Sequence, residues 1–268
     1  MSNGHRPRKR FGQHFLHDRA TLAQIHSSVA PTPADHLVEI GPGTGALTEL
    51  FAPAARRLDL IEIDRDLVLM LQRKFAALPQ LRLHQADALR FDFTRLVIDR
   101  PLRIIGNLPY NISTPLLFHL IEQAASIQDM HFLLQKEVVD RLAAAPASAD
   151  YGRLSVMVQY HCLIEPLFDV PPEAFSPPPR VDSRVVRITP LRQRPVQARD
   201  ERRLAEVVRV AFTQRRKKIR NALESLIDGN RLQQIGIDPA LRPDQLDLRD
   251  FVAISDFLTP QDDSARDQ

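Results

Sequence analysis

Short apolar runs and longer amphipathic segments alternate along the first two thirds of the chain. HLVEI (36–40), LDLIEI (58–63), LRLH (81–84), RIIGN (103–107) and HFLLQ (131–135) are each brief enough for a buried strand. Between two of them, DRDLVLMLQRKF (64–75) places Leu67, Leu71 and Phe75 at four-residue spacing, the repeat of one helical face. Strands that alternate with helices imply crossover connections and a mainly parallel sheet covered on both faces, so the fold class is α/β. After residue 190 the pattern changes. LAEVVRVAF puts Leu204, Val207, Val208, Ala211 and Phe212 on one stripe, which predicts a smaller helical domain. A helix continuing past this stripe would turn Arg215 into it, so a bend is expected near Thr213 and Gln214. The predicted division is a sheet domain over 1–190 and a helical domain over 191–268.

Composition narrows the class. Of the 268 residues, 44% are hydrophobic and 26% charged, as in a soluble globular protein, and no run approaches the roughly 20 apolar residues of a spanning helix. The basic N-terminus is followed by no apolar h-region, so a cytoplasmic location is expected. Cys162 is the single cysteine, which excludes an internal disulfide and a cysteine-based zinc site, and no metal is expected. It reads as a core residue. A net charge of +3 conceals local concentration: RPRKR (6–10) and QRRKKIR (214–220) are basic, while QDDSARDQ closes the chain with acid. Such clusters are either solvated faces or attractors of a polyanion, and net charge does not decide between them.

Candidate chemistry lies where the apolar runs end. VEIGPGTGALT carries Gly41, Gly43 and Gly45 from a strand into a helical segment, so the backbone can turn tightly and approach a ligand. The looser dinucleotide pattern fits the same glycines. Glu62 ends the next strand about 20 residues later, where a carboxylate accepts hydrogen bonds from ribose hydroxyls. Asp87, after the third run, can accept from an exocyclic adenine amino group or simply cap a helix. After the fourth run comes Asn107-Leu108-Pro109-Tyr110. An Asn side-chain carbonyl and the Leu108 backbone carbonyl can both grip an amino group, Pro109 fixes φ, and Tyr110 offers a flat face to a base. Adenine N6 is a poor nucleophile because its lone pair is delocalised; two acceptors holding its hydrogens out of plane free that pair for a methyl group. S-adenosylmethionine in the glycine turn would supply one. Phe175, ahead of three prolines, can meet a base from the other side of Tyr110.

Taken together, the segments RKRFGQHFL, VEIGPGTGALT, IEIDRDL, QADAL, GNLPYNISTPLL, QKEVVDRL, YGRLSVMVQY, AFSPPPRVDS and AFTQRRKKIRNAL resemble the small-subunit ribosomal RNA adenine N6,N6-dimethyltransferases. The resemblance runs from about residue 8 to about residue 240. It implies a seven-stranded S-adenosylmethionine-dependent methyltransferase sheet of Rossmann-like type, with a C-terminal helical domain that grips RNA. It further implies dimethylation of two adjacent adenosines near the 3′ end of 16S ribosomal RNA, a monomer acting on the small subunit or its precursor, and no membrane partner. The family's cofactor positions fall on His14, Leu16, Gly41, Glu62, Asp87 and Asn107; His14 stands where the family often has Asn. Asn107, Leu108, Pro109, Tyr110 and Phe175 would form the catalytic set. Arg215, Arg216, Lys217, Lys218 and Arg220 would meet phosphates. Three other readings share parts of this pattern: a nicotinamide-dependent oxidoreductase, a methyltransferase for DNA or protein glutamine, and a non-catalytic assembly factor on the same scaffold.

Overall fold

The computed structural model describes residues 14–260. The RPRKR cluster, residues 8–13 of the first resembling segment and the acidic QDDSARDQ end lie outside the described residues. In chain order the elements are β1 (Phe15–Leu16), α1 (Arg19–Val29), β2 (His36–Ile40), α2 (Ala46–Phe51), β3 (Arg57–Glu62), α3 (Arg65–Lys74), β4 (Leu81–Gln85), β5 (Leu102–Asn107), α4 (Ser113–Glu122), β6 (Ile127–Gln135), α5 (Lys136–Ala143), α6 (Arg153–His161), β7 (Cys162–Val170), β8 (Phe175–Ser176), β9 (Ser183–Pro190), α7 (Glu201–Thr213), α8 (Ile219–Ala222), α9 (Gly229–Gln234) and α10 (Leu248–Leu258).

Seven strands form one sheet in the order β4-β3-β2-β5-β6-β9-β7. The first five run parallel, and β9 pairs antiparallel with β6. β2 and β5 carry near-continuous apolar runs because helices cover both faces there, with Leu37, Val38, Ile104 and Ile105 all buried. All five expected runs are strands. β7 and β9 were not among the runs read from the apolar pattern, although the seven-stranded sheet implied by the resemblance calls for two more strands. Pro166 inside β7 argues against a central strand, and β7 does lie at the sheet edge, where a missing donor is tolerated. A second, two-stranded ladder pairs β1 with β8 and sets Leu16 opposite Phe175.

The chain order reverses on either side of β2, whose neighbours are β3 and β5. Ligands of open α/β sheets bind at such a switch point, beyond the carboxyl ends of the strands. The two strands approach closely there: a Cβ on Gly106 would lie 2.6 Å from the Ile40 carbonyl oxygen, so only glycine fits.

The described chain divides into two compact units, residues 14–139 with Leu163–Pro190, and Asp140–Cys162 with residues 191–260. The second therefore takes in 140–162, which the predicted division placed with the sheet. Inside that unit the reason is visible. Tyr151 meets Phe212 edge-on at 6.1 Å, the Tyr160 hydroxyl accepts from the Ala198 N–H at 3.1 Å, and Arg194 lies over the Tyr160 ring at 4.6 Å. Leu204, Val207, Val208 and Ala211 form the buried stripe of α7, which ends at Thr213, where the bend was expected.

Candidate active site

A cleft opens at the carboxyl ends of β2, β3, β4 and β5, all within the first unit. Gly41 and Gly43 contribute backbone to its wall. Gly43 has φ +57°, and a Cβ there would come within 2.9 Å of the Phe15 ring; the bare backbone is what leaves room at this wall. Glu62 lines the next wall from the end of β3. One carboxylate oxygen accepts the Asp64 N–H at 2.9 Å and the other meets the Gly43 N–H at 3.4 Å. Burial pushes its carboxyl above the usual range, and the backbone donors oppose that shift. Asp87 also lines the cleft, with Oδ1 accepting the Leu89 N–H at 3.0 Å, so it caps a local turn and faces the cavity at once.

The loop after β5 is fixed residue by residue. The Asn107 side-chain NH2 donates to the His14 carbonyl at 2.8 Å. A carbonyl can only accept, so this bond orients the amide and leaves its Oδ1 as an acceptor. The Leu108 side chain is buried, and its N–H donates to the Leu133 carbonyl at 3.3 Å. The Pro109 carbonyl accepts from the Ile112 N–H at 3.2 Å, closing the turn. Tyr110 is held by its hydroxyl, 2.8 Å from Ser183 Oγ, and by a stacked contact with the His14 ring at 5.7 Å. Burial pushes its phenol up, so it is uncharged at neutral pH. The cleft thus gathers His14, Gly41, Glu62, Asp87, Asn107, Leu108, Pro109 and Tyr110.

Three of the expected site residues lie apart from this set. Phe175 is 2% exposed, packed in the core cluster with Leu16, and is absent from the cleft lining. Leu16 is likewise turned into the core, and the residue of β1 that reaches the cleft is Phe15. Alternation along a strand explains the swap, because adjacent side chains point to opposite faces. Arg215 does not project freely. Its guanidinium donates to the Ser148 and Ala149 carbonyls at 3.3 and 2.6 Å and lies 3.7 Å from Asp244, all inside the second unit. Arg216, Lys217, Lys218 and Arg220 are exposed. Sequence reasoning also missed Ile63, which lines the cleft while 48% exposed. In the sequence Ile63 reads as the last residue of the run LDLIEI, whereas β3 ends at Glu62 and leaves it outside the strand.

Comparison with known proteins identifies the family. A family model described as ribosomal RNA adenine dimethylase matches residues 4–259. A ribosomal RNA small subunit methyltransferase A of Marinobacter nauticus is 54% identical over 260 residues, covering 96% of this chain and 94% of the relative. One from Pseudomonas aeruginosa is 54% identical, covering 95% of each. Among solved structures, the 23S rRNA methyltransferase ErmE superposes with TM-score 0.71 at 25% identity, covering 91% of this chain and 99% of that one. A dimethyladenosine transferase from Plasmodium falciparum superposes with TM-score 0.74 at 24% identity, covering 90% and 96%, and supports the fold. With nearly its whole length matched, this chain belongs to the ribosomal RNA adenine dimethylase family.

Proposed function

We propose that this protein uses S-adenosylmethionine to dimethylate N6 of two adjacent adenosines near the 3′ end of 16S ribosomal RNA, and so contributes to small-subunit biogenesis. The observation that carries the reading is the locked Asn107 amide, whose free acceptor stands beside the Leu108 backbone in the cleft wall.

The residues present fit the cofactor. Glu62 offers a buried carboxylate for two ribose hydroxyls, Asp87 an acceptor for the adenine amino group, and the glycine turn a wall free of side chains. His14 also lines this space, whereas Leu16 does so at most through its backbone. Ile63 presents apolar surface to a flat base. When bound there, S-adenosylmethionine supplies an electrophilic methyl group.

Asn107 Oδ1 and the Leu108 carbonyl accept the two N6 hydrogens of the target adenine and draw the nitrogen toward tetrahedral geometry, which localises its lone pair. Tyr110 supports the extruded ring, and stacking of about 1–3 kcal/mol offsets much of the cost of unstacking the base. No general base is needed before transfer, since the alkylated nitrogen is cationic and releases its proton to water. Catalysis is therefore positioning rather than proton abstraction. Arg216, Lys217, Lys218 and Arg220 hold phosphates of the RNA. None of the described helices is long and apolar enough to cross a membrane. A monomer in the cytoplasm, meeting small-subunit particles, completes the reading.

The test is to incubate the protein and methyl-labelled S-adenosylmethionine with small subunits lacking the modification, then digest the RNA and separate the nucleosides. Label should appear as N6,N6-dimethyladenosine at two neighbouring positions. Label on another base, or only on protein, would contradict the reading.

A further inference from the structure

Two buried carboxylates, not one, flank the glycine turn. Glu62 lies on one side. Glu39, the penultimate residue of β2 and paired in register with Leu60 and Ile105, is 1% exposed. Its Oε2 accepts from the Thr48 hydroxyl at 2.6 Å, and Thr48 is fully buried in α2. This bond ties the strand that enters the glycine turn to the helix that leaves it. The cation facing these acids, Lys74 of α3, donates to the Thr44 carbonyl at 2.8 Å, pairs with Glu49 of α2 at 2.7 Å and is 37% exposed, so solvent and its own partner screen it. The flanking strand β5 presents apolar Ile105. The cleft is lined by Glu62 and Asp87 with no lysine or arginine among its described lining residues, and Glu39 lies buried behind the same glycine turn, outside the lining; this surplus of acid favours a ligand that brings positive charge.

On the proposed reading, the reaction changes that charge. The adenine N6 pair forms the new N–C bond, the C–S pair stays on sulfur, and the proton leaves N6 for water, so a sulfonium becomes a neutral thioether. We propose that Glu39 is a positioning residue that braces the glycine turn through Thr48 and makes the cleft prefer the cationic cofactor over its neutral demethylated product. This rests on the methyltransferase reading above. Burial, reinforced by Glu62 and opposed by the Thr48 bond and Lys74, pushes the Glu39 carboxyl up to about 7. A cationic ligand favours the ionised form. Its binding therefore releases a proton and strengthens as pH rises through neutrality, whereas a ligand without the sulfonium gains little.

Calorimetric titration of the intact protein with S-adenosylmethionine and with S-adenosylhomocysteine, from pH 6 to pH 8 and in buffers of different ionisation enthalpy, tests this. A group titrating near 7 passes from about a tenth to about nine tenths ionised over that range, so S-adenosylmethionine should tighten by up to about tenfold with proton release, and S-adenosylhomocysteine should stay nearly flat. Glu39→Gln, whose amide oxygen can still accept from Thr48, should abolish the pH dependence for the first ligand and leave the second near wild type. Thr48→Val removes a bond that favours the ionised acid and should move the rise to higher pH. The inference is overturned if Glu39→Gln keeps the pH dependence, or if both ligands tighten alike. A wild-type protein that binds neither ligand would instead sink the methyltransferase reading itself.

Discussion

At the end of β5, four consecutive residues are each held by a named contact; after α7, four of five cations carry their charge into solvent. Asn107 is tied to the His14 carbonyl, Leu108 to Leu133, Pro109 to Ile112 and Tyr110 to Ser183. In the basic segment only Arg215 is comparably engaged, and its partners are backbone carbonyls of its own unit. On the proposed function the difference follows from what each region would do. Aligning a weakly nucleophilic amine requires acceptors fixed to fractions of an ångström, because a misplacement of about 1 Å can cost a hundredfold in rate. Attracting phosphates requires only that charge be near, and long flexible side chains provide it while remaining hydrated.

The comparison can be broken first at Phe175. Buried in the core beside Leu16, it should report on stability: Phe175→Ala should cost about 3–5 kcal/mol of unfolding free energy by denaturant titration. A stable Phe175→Ala protein with a selective loss of turnover would return the ring to the active site. Next comes the loop itself. Asn107→Ala should lower single-turnover methyl transfer by about a hundredfold, with RNA affinity within about twofold. Glu62→Ala leaves the Gly43 and Asp64 N–H groups without their acceptor and removes the ribose partner. Cofactor binding measured by calorimetry should weaken by about 1–3 kcal/mol for methylated and demethylated forms alike.

Changing Arg216, Lys217, Lys218 and Arg220 to Gln should flatten the salt dependence of RNA binding by about 0.7–0.9 log units per lost phosphate contact. Arg215→Gln should leave that slope nearly unchanged and lower thermal stability instead. Equal slopes lost at all five positions would erase the distinction between Arg215 and its neighbours. The smallest effect belongs to Tyr110→Phe, which loses the Ser183 bond but keeps the stacking face. Its rate should fall by less than about tenfold, against a far larger loss for Tyr110→Ala, in the same single-turnover assay.

What was legible in the sequence was what the backbone pattern controls. Gly41, Glu62, Asp87 and Asn107 each lie at or just after the end of an apolar run, and strand ends of a parallel sheet converge on one edge, so their meeting in one cleft follows from topology. Side-chain direction was less legible. Phe175 and Leu16 face the core because β1 and β8 form a two-residue ladder with one buried side, and two residues are too few to show a period in sequence. Arg215 was half read: the end of α7 at Thr213 follows from the apolar stripe, yet its bonds to 148–149 depend on residues some 66 positions away in the chain. Glu39 went unread because it sits inside an apolar run, and its bond to Thr48 joins two elements that the sequence pattern does not bring together.

The central claim is that positioning in the cleft and attraction by the basic segment are separable. Single-turnover methyl transfer measured against RNA concentration, at saturating cofactor, tests it most directly with two proteins: Asn107→Ala, and the variant lacking the charges of Arg216, Lys217, Lys218 and Arg220. The account predicts that the first lowers the plateau rate without moving the half-saturating RNA concentration, and that the second moves that concentration upward without lowering the plateau. A plateau unchanged by Asn107→Ala, or lowered by the charge variant as much as by Asn107→Ala, would contradict it.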